Sequence, residues 1–412
     1  MGESRKRCRR SNGPETLRHQ DYTANIDSGE GLRPTEGERF FLISQVTGQR
    51  GKIDFVWELM LKKTALYDKH LAQNAKMVDF AGFSLPINYG SQIEEHKAVR
   101  ADSGMFDVSH MVVSDISGPE AKDYLGFLLA NDVAKLSTEG KALYSCMLRD
   151  DGGIIDDLIL YWLHEDKFRI VSNGATRDKD IAWMQKIIKN FSASLVERED
   201  LGILAVQGPK ARDKVLKILP DNKKAQELAR FYGAMVGDIF IGRTGYTGED
   251  GFEIIAGKHQ INNIWDQLLE QNVIPCGLGA RDSLRLEAGM MLYGTDMDES
   301  NNPFESGLKW TVNLNDREFC GSKALKKILE QGVTYKMVGL ILKDKGIMRH
   351  GQEVYVDGRK VGSVTSGGFS PTLQKSIAFA RVHIDTGNTC QIKIRNKFLA
   401  AEVGGLNFIK PT

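Results

Sequence analysis

Four glycines, Gly242, Gly245, Gly248 and Gly251, recur every third residue through the run Gly-Arg-Thr-Gly-Tyr-Thr-Gly-Glu-Asp-Gly and limit what the flanking chain can form. The run lacks the Lys-Ser/Thr ending of a phosphate-binding P-loop and the GxGxxG spacing of a dinucleotide fold. Glu249 and Asp250 would also repel an anion. The reading that remains is a turn with φ > 0 joining two strands. Side chains alternate along the second strand, so Phe252 and Ile254 share one face while Glu253 and Ile255 share the other. Glu253 then sits among apolar neighbours, either half exposed at a sheet edge or aimed into a pocket.

A chain of 412 residues, 41% hydrophobic and with a formal net charge of +1, has ample core for two or three domains and no bulk electrostatic pull toward nucleic acid. The five cysteines are scattered, without a CxxC or a Cys/His cluster, which argues against a disulfide framework or a structural zinc and fits a reducing cytosol. No apolar run approaches the roughly 18 residues of a membrane span, and no secretory signal opens the chain. The expectation is a cytoplasmic protein with no membrane, nucleic-acid or metal partner. Residues 1–59 start with a basic cluster (Arg5-Lys6-Arg7, Arg9, Arg10) and continue with Gly, Ser, Thr and acids, a composition expected to be disordered. The folded chain is expected to divide into an α+β core over 60–335 and a β-barrel over 336–412.

Within that core, residues 77–87 read as a strand ending in a turn at Pro86, and a helix capped by Ser91 follows, with Ile93 and Val99 inward and Glu94, Glu95, His96 and Lys97 on its polar side. Residues 105–113 read as one strand. It places Ser109 and His110 on opposite faces, so they cannot act together as nucleophile and base. Asp132 follows an apolar helix, where a buried carboxyl would have a raised pKa suited to acid/base work, or would satisfy the amides of its own turn. Asp150-Asp151-Gly152-Gly153 is a hairpin turn between strands, and the pairs Asp150-Asp151 and Asp156-Asp157 have no EF-hand spacing. Arg281 and Arg285 lie one helical turn apart; such like charges call for carboxylates, either internal (Asp282, Glu287) or on an acidic ligand. Strands mixed with single helices, without strict β-α-β alternation, indicate α+β units on antiparallel sheets.

In order along the chain stand Lys76-Met77-Val78-Asp79-Phe80, Phe106-Asp107-Val108-Ser109-His110-Met111, Leu129-Ala130-Asn131-Asp132-Val133, Gly152-Gly153-Ile154-Ile155-Asp156-Asp157-Leu158, Val206-Gln207-Gly208-Pro209, the glycine run through Glu253, Gly279-Ala280-Arg281-Asp282-Ser283-Leu284-Arg285, and Thr365-Ser366-Gly367. Together they resemble the aminomethyltransferase (T protein) family of the glycine cleavage system, in its bacterial form. The resemblance implies a three-domain architecture, two ferredoxin-like units plus a C-terminal β-barrel around a central cavity. It implies transfer of a one-carbon unit from the aminomethyl-dihydrolipoyl arm of a lipoylated H protein to tetrahydrofolate as co-substrate, with release of ammonia. It also implies Asp132 as the acid/base or orienting carboxylate, Glu253 as acceptor of pterin hydrogen bonds, Arg281 as partner of the acidic end of the folate, Met111 and Tyr144 as walls of the pterin site and Asn173 as a polar contact. The folate-binding unit of a sarcosine or dimethylglycine dehydrogenase is disfavoured because no FAD-type glycine fingerprint is present. An iron-sulfur maturation protein of the same fold is disfavoured because its reactive-cysteine motif is absent.

Overall fold

The computed structural model describes residues 61–219 and 222–410. The extension expected over residues 1–59 lies outside the described residues. In the strand Gly251–Gly257, Phe252, Ile254 and Ala256 enter one apolar core while Ile255 enters another on the opposite side. This strand belongs to a six-stranded sheet in the order Gly233–Val236, Ile239–Gly242, Gly251–Gly257, Leu201–Gln207, Gly104–Asp107, Ile274–Pro275, antiparallel except for its last pair. A five-stranded antiparallel sheet runs Ala142–Leu148, Ile154–His164, Lys167–Ser172, Val112–Ser117, Ser194–Glu197.

The two sheets share a core. Val113, Ala142 and Tyr161 of the five-stranded sheet meet Phe106, Ile203, Ala205, Phe240 and Ile255 of the six-stranded one. Helices cover the outer faces: Ala211–Ile218 and Lys258–Glu270 on one sheet, Ala121–Leu128 and Arg177–Ile188 on the other. In Lys258–Glu270 the spacing of Ile261, Ile264, Trp265 and Leu268 puts all four on one stripe, and all four are buried.

Residues 336–404 supply most of a closed barrel in which Tyr335–Leu342, Lys375–His383, Arg359–Ser370, Glu353–Val356, Thr389–Ile394 and Lys397–Gly404 pair in turn. Its interior is filled by compact side chains such as Val338, Val354, Val364, Ala378, Ala380 and Ile392, which suit a narrow barrel. A bulge between Val364 and Ser366 breaks the alternation there, and Thr365 and Ser366 reach out to Asp296 and Arg285.

Several local expectations change. Residues 77–87 form a hairpin, Lys76–Phe80 with Phe83–Asn88, because Ala81 and Gly82 take positive φ (54° and 77°) and turn the chain before Pro86. The stretch 105–113 is two strands in different sheets, Gly104–Asp107 and Val112–Ser117, and the crossing between them carries Met111. His96 is fully buried, bonded to Ser283 and Thr372 and 3.2 Å from Glu287, while Ile93 is 37% exposed. Elements some two hundred residues downstream pack on the face of that helix that reads as polar.

Candidate active site

The glycine run is an eight-residue loop, 243–250, between antiparallel strands in which Gly242 pairs with Glu253. Only Gly248 of the four needs a positive φ (81°). The others serve close packing: a Cβ at Gly245 would lie 1.9 Å from Gln207 Oε1, and one at Gly242 would lie 2.5 Å from the Tyr161 hydroxyl. The loop is thereby pressed onto the sheet, which aims Tyr246 and Glu253 into a cavity of about 700 Å³.

That cavity gathers side chains from all parts of the described fold. Asp157 comes from the strand Ile154–His164, Tyr144 from its neighbour and Asn173 from just beyond Lys167–Ser172, while Met111 lies on the crossing between sheets. Arg281 reaches in from the helix Leu278–Glu287, Trp310 from the short 3-10 turn Lys309–Thr311, and Leu406 and Asn407 from the segment after the last barrel strand. Much of the wall is apolar, and its only acids among the described residues are Asp157 and Glu253.

Asp157 is held from two sides. The Tyr144 hydroxyl donates to its Oδ2 at 2.7 Å and Asn173 Nδ2 to its Oδ1 at 3.0 Å. Trp310 stacks on Tyr144, with centroids 5.3 Å apart and planes at 17°. Burial first, and the charge of Asp156 second, push the Asp157 carboxyl up to about 7, against the pull of its two hydrogen bonds. Glu253 is also raised by burial, opposed by the Thr244 hydroxyl that donates to it at 2.6 Å and by the charge of Arg281.

The two arginines one turn apart divide the alternatives. Arg285 is consumed internally, 2.8 Å from Asp296 and 2.9 Å from Asp282, with a further bond to Ser366. The Arg281 side chain makes no hydrogen bond or ion pair among the described residues; its guanidinium lies 4.4 Å from the Tyr246 ring centroid and lines the cavity. Burial lowers its pKa, the expected response of a cation short of counter-charge.

Of the residues expected to act, Met111, Tyr144, Asn173, Glu253 and Arg281 line the cavity together, and Asp132 does not. Asp132 caps the short turn Val133–Lys135, accepting from Ala134 N at 3.0 Å and from Asn313 Nδ2 at 3.1 Å. Its neighbour Asn131 is the buried residue there, and donates to the Tyr144 carbonyl at 2.8 Å. The carboxylate that lines the cavity beside Tyr144 and Asn173 is Asp157, which the sequence shows only as half of an acidic pair. Strand alternation offered a signal: Asp156 and Asp157 must face opposite ways, one inward to its own sheet's packing and one outward.

A model of the GCVT N-terminal domain matches residues 66–316, and one of the glycine cleavage T-protein C-terminal barrel domain matches residues 336–410. Aminomethyltransferases of Legionella pneumophila strains Paris and Corby are 53% identical over 355 residues, 85% of this chain and 99% of theirs. The crystal structure of glycine cleavage system aminomethyltransferase T from Bartonella henselae matches with a TM-score of 0.81 at 35% identity, covering 85% of this chain and 99% of that one. By these matches and by the fold they share, the chain belongs to the glycine cleavage T-protein family of aminomethyltransferases.

Proposed function

We propose that this cavity is where the chain, as an aminomethyltransferase, passes the one-carbon unit from the aminomethyl-dihydrolipoyl arm of H protein to tetrahydrofolate. The products are ammonia, reduced lipoyl arm and 5,10-methylenetetrahydrofolate. The observation that carries this reading is the grouping of two half-buried carboxyls and one unpaired arginine in a largely apolar cavity. Its volume falls in the roughly 300–1,000 Å³ range of small-molecule sites.

The chemistry assigns the groups. A pterin edge offers N–H donors, and Glu253, fixed by Thr244, is an acceptor for them. Arg281 supplies the positive charge that the carboxylates of a glutamyl tail require. Met111 and Tyr144 give an apolar and an aromatic wall. Two folate nitrogens each lose a proton as their bonds to the carbon form, and the departing ammonia and thiolate each gain one. Asp157, with a carboxyl titrating near 7, is the group suited to accept and return such a proton. We assign this role to Asp157 in place of Asp132. The apolar walls favour an electrophilic carbon held close to its acceptor, so positioning contributes alongside proton transfer.

The test incubates the protein with tetrahydrofolate and aminomethylated H protein and follows ammonia and methylenetetrahydrofolate together. Equimolar appearance of both, dependent on folate, is expected; ammonia without the folate product, or neither, would overturn the reading.

A further inference from the structure

Behind Asp157, on the side away from the cavity wall, lie two more carboxyls. Asp156 is fully buried and accepts three hydrogen bonds, from Asn173 N at 3.1 Å, Asn173 Nδ2 at 2.9 Å and Thr176 Oγ1 at 3.0 Å. The same Asn173 amide nitrogen donates to Asp157, so Asn173 is a bridge between the buried acid and the cavity acid. Asp180, in the first turn of Arg177–Ile188, is also fully buried, and neither of its carboxyl oxygens meets a hydrogen-bond donor among the described residues. Its neighbours within reach are Asp156, another acceptor, and the Thr176 hydroxyl, whose single proton is directed to Asp156 and the Asn173 carbonyl, each at 3.0 Å. Lys179, adjacent in sequence, is engaged by Glu299 at 2.8 Å and the Tyr293 hydroxyl at 2.7 Å.

Two buried carboxylates in contact repel, and an unpaired buried acceptor is costly. Both problems vanish when one carboxyl carries a proton and donates it to the other. Asp156 already accepts from three donors, so the proton belongs on Asp180. We propose that Asp156 and Asp180 are a one-proton carboxyl pair that positions Asp157: the Asp180 acid donates to anionic Asp156, and Asp156 clamps Asn173 in the rotamer that donates to Asp157. Burial, with the charge of Asp156 second, pushes the Asp180 carboxyl up to about 10, so its proton persists through the neutral range. The titratable and charged groups around Asp157 are Asp156, Tyr144, Tyr246 and Cys146; those around the pair are Lys179, Tyr293, Cys146 and Asp157.

The inference rests on the proposed reaction, and the test separates the two. Wild type, Asp180→Asn, Asp180→Leu and Asp156→Asn are assayed for kcat, folate KM and the pH dependence of kcat, with circular dichroism and thermal melting to certify the fold. An amide at 180 replaces the acid as donor, so Asp180→Asn is expected to lose less than about threefold in kcat, while Asp180→Leu loses about tenfold to a hundredfold with folate KM nearly constant. Asp156→Asn removes a charge that raises Asp157, so the rising limb of kcat moves to lower pH. Asp180→Leu with wild-type kcat, Asp180→Asn as impaired as Asp180→Leu, or an unmoved limb in Asp156→Asn would each overturn the pair. The two positions approach it independently, so failure of one variant to fold leaves the other decisive. Should wild type itself fail to turn over, the function falls, and 13C NMR titration of the aspartate carboxyls still reads the pair: the Asp157 resonance must titrate lower in Asp156→Asn than in wild type.

Discussion

Replacing Asp157 by asparagine tests the chemistry with little disturbance of the cavity. The side chains have the same shape. The new amide can turn its oxygen to Asn173 Nδ2, now 3.0 Å from Oδ1, and its NH2 to the Tyr144 hydroxyl, now a donor at 2.7 Å to Oδ2. One hydrogen bond is reversed and none is lost. Stability follows from the sign of the shift. An acid whose folded pKa is raised to about 7 costs nothing below its unfolded value, destabilises increasingly as pH rises from that value to about 7, and costs a constant amount above it. A neutral amide lifts that cost, so Tm at pH 8 is expected to equal or exceed that of wild type. Catalysis behaves differently, because an amide cannot shuttle a proton. Loss of a general acid/base removes about 10²–10⁴ in rate, or about 2.7–5.4 kcal/mol of transition-state stabilisation. The assay measures ammonia and methylenetetrahydrofolate from aminomethylated H protein, and folate binding by fluorescence of Trp310 at the cavity. Asp132→Asn runs beside it, expected to change turnover by no more than a few-fold, since its partners are a turn amide, Asn313 and, at 3.8 Å, Arg317, none of them lining the cavity. Near-wild-type turnover in Asp157→Asn, or a larger loss in Asp132→Asn with folate binding intact, would refute the assignment.

Arg281→Ala should weaken tetrahydrofolate binding by about tenfold to a hundredfold, the worth of a charge-assisted contact, and calorimetric affinities equal to wild type would remove Arg281 from recognition. Gly245→Ala forces a Cβ to within 1.9 Å of Gln207 Oε1, so a loss of about 1–3 kcal/mol in denaturant unfolding is expected together with weaker folate binding, because the loop carrying Tyr246 must lift. The pH dependence of kcat should rise with a midpoint near 7, since the ionised form of Asp157 accepts the first proton. A midpoint at the ordinary carboxylate value would mean that another group limits turnover.

The residues that sequence reasoning placed well are those governed by local rules. Period-two alternation set Phe252 and Ile254 against Glu253, the Gly152-Gly153 turn set the hairpin before Asp157, and helical spacing put Arg281 and Arg285 on one side of their helix. His96 went wrong because its burial is decided by Ser283 and Thr372, close in space and far along the chain. Asp132 was drawn toward the site by the apolar helix preceding it, yet a carboxylate after a helix is as able to cap the next turn.

Sequence by itself determined the α+β class, the barrel, the family motifs and which residues must alternate, since these follow from neighbours within a few positions. Tertiary structure alone decided that Asp157 rather than Asp156 faces the cavity, and it left Arg281, which the family motif had already singled out, lining the cavity while Arg285 pairs internally. Alternation and helical period say that two side chains diverge or align. Only the packing of a second sheet, the barrel and the glycine loop around them says which one faces the cavity and which one is spent holding the fold.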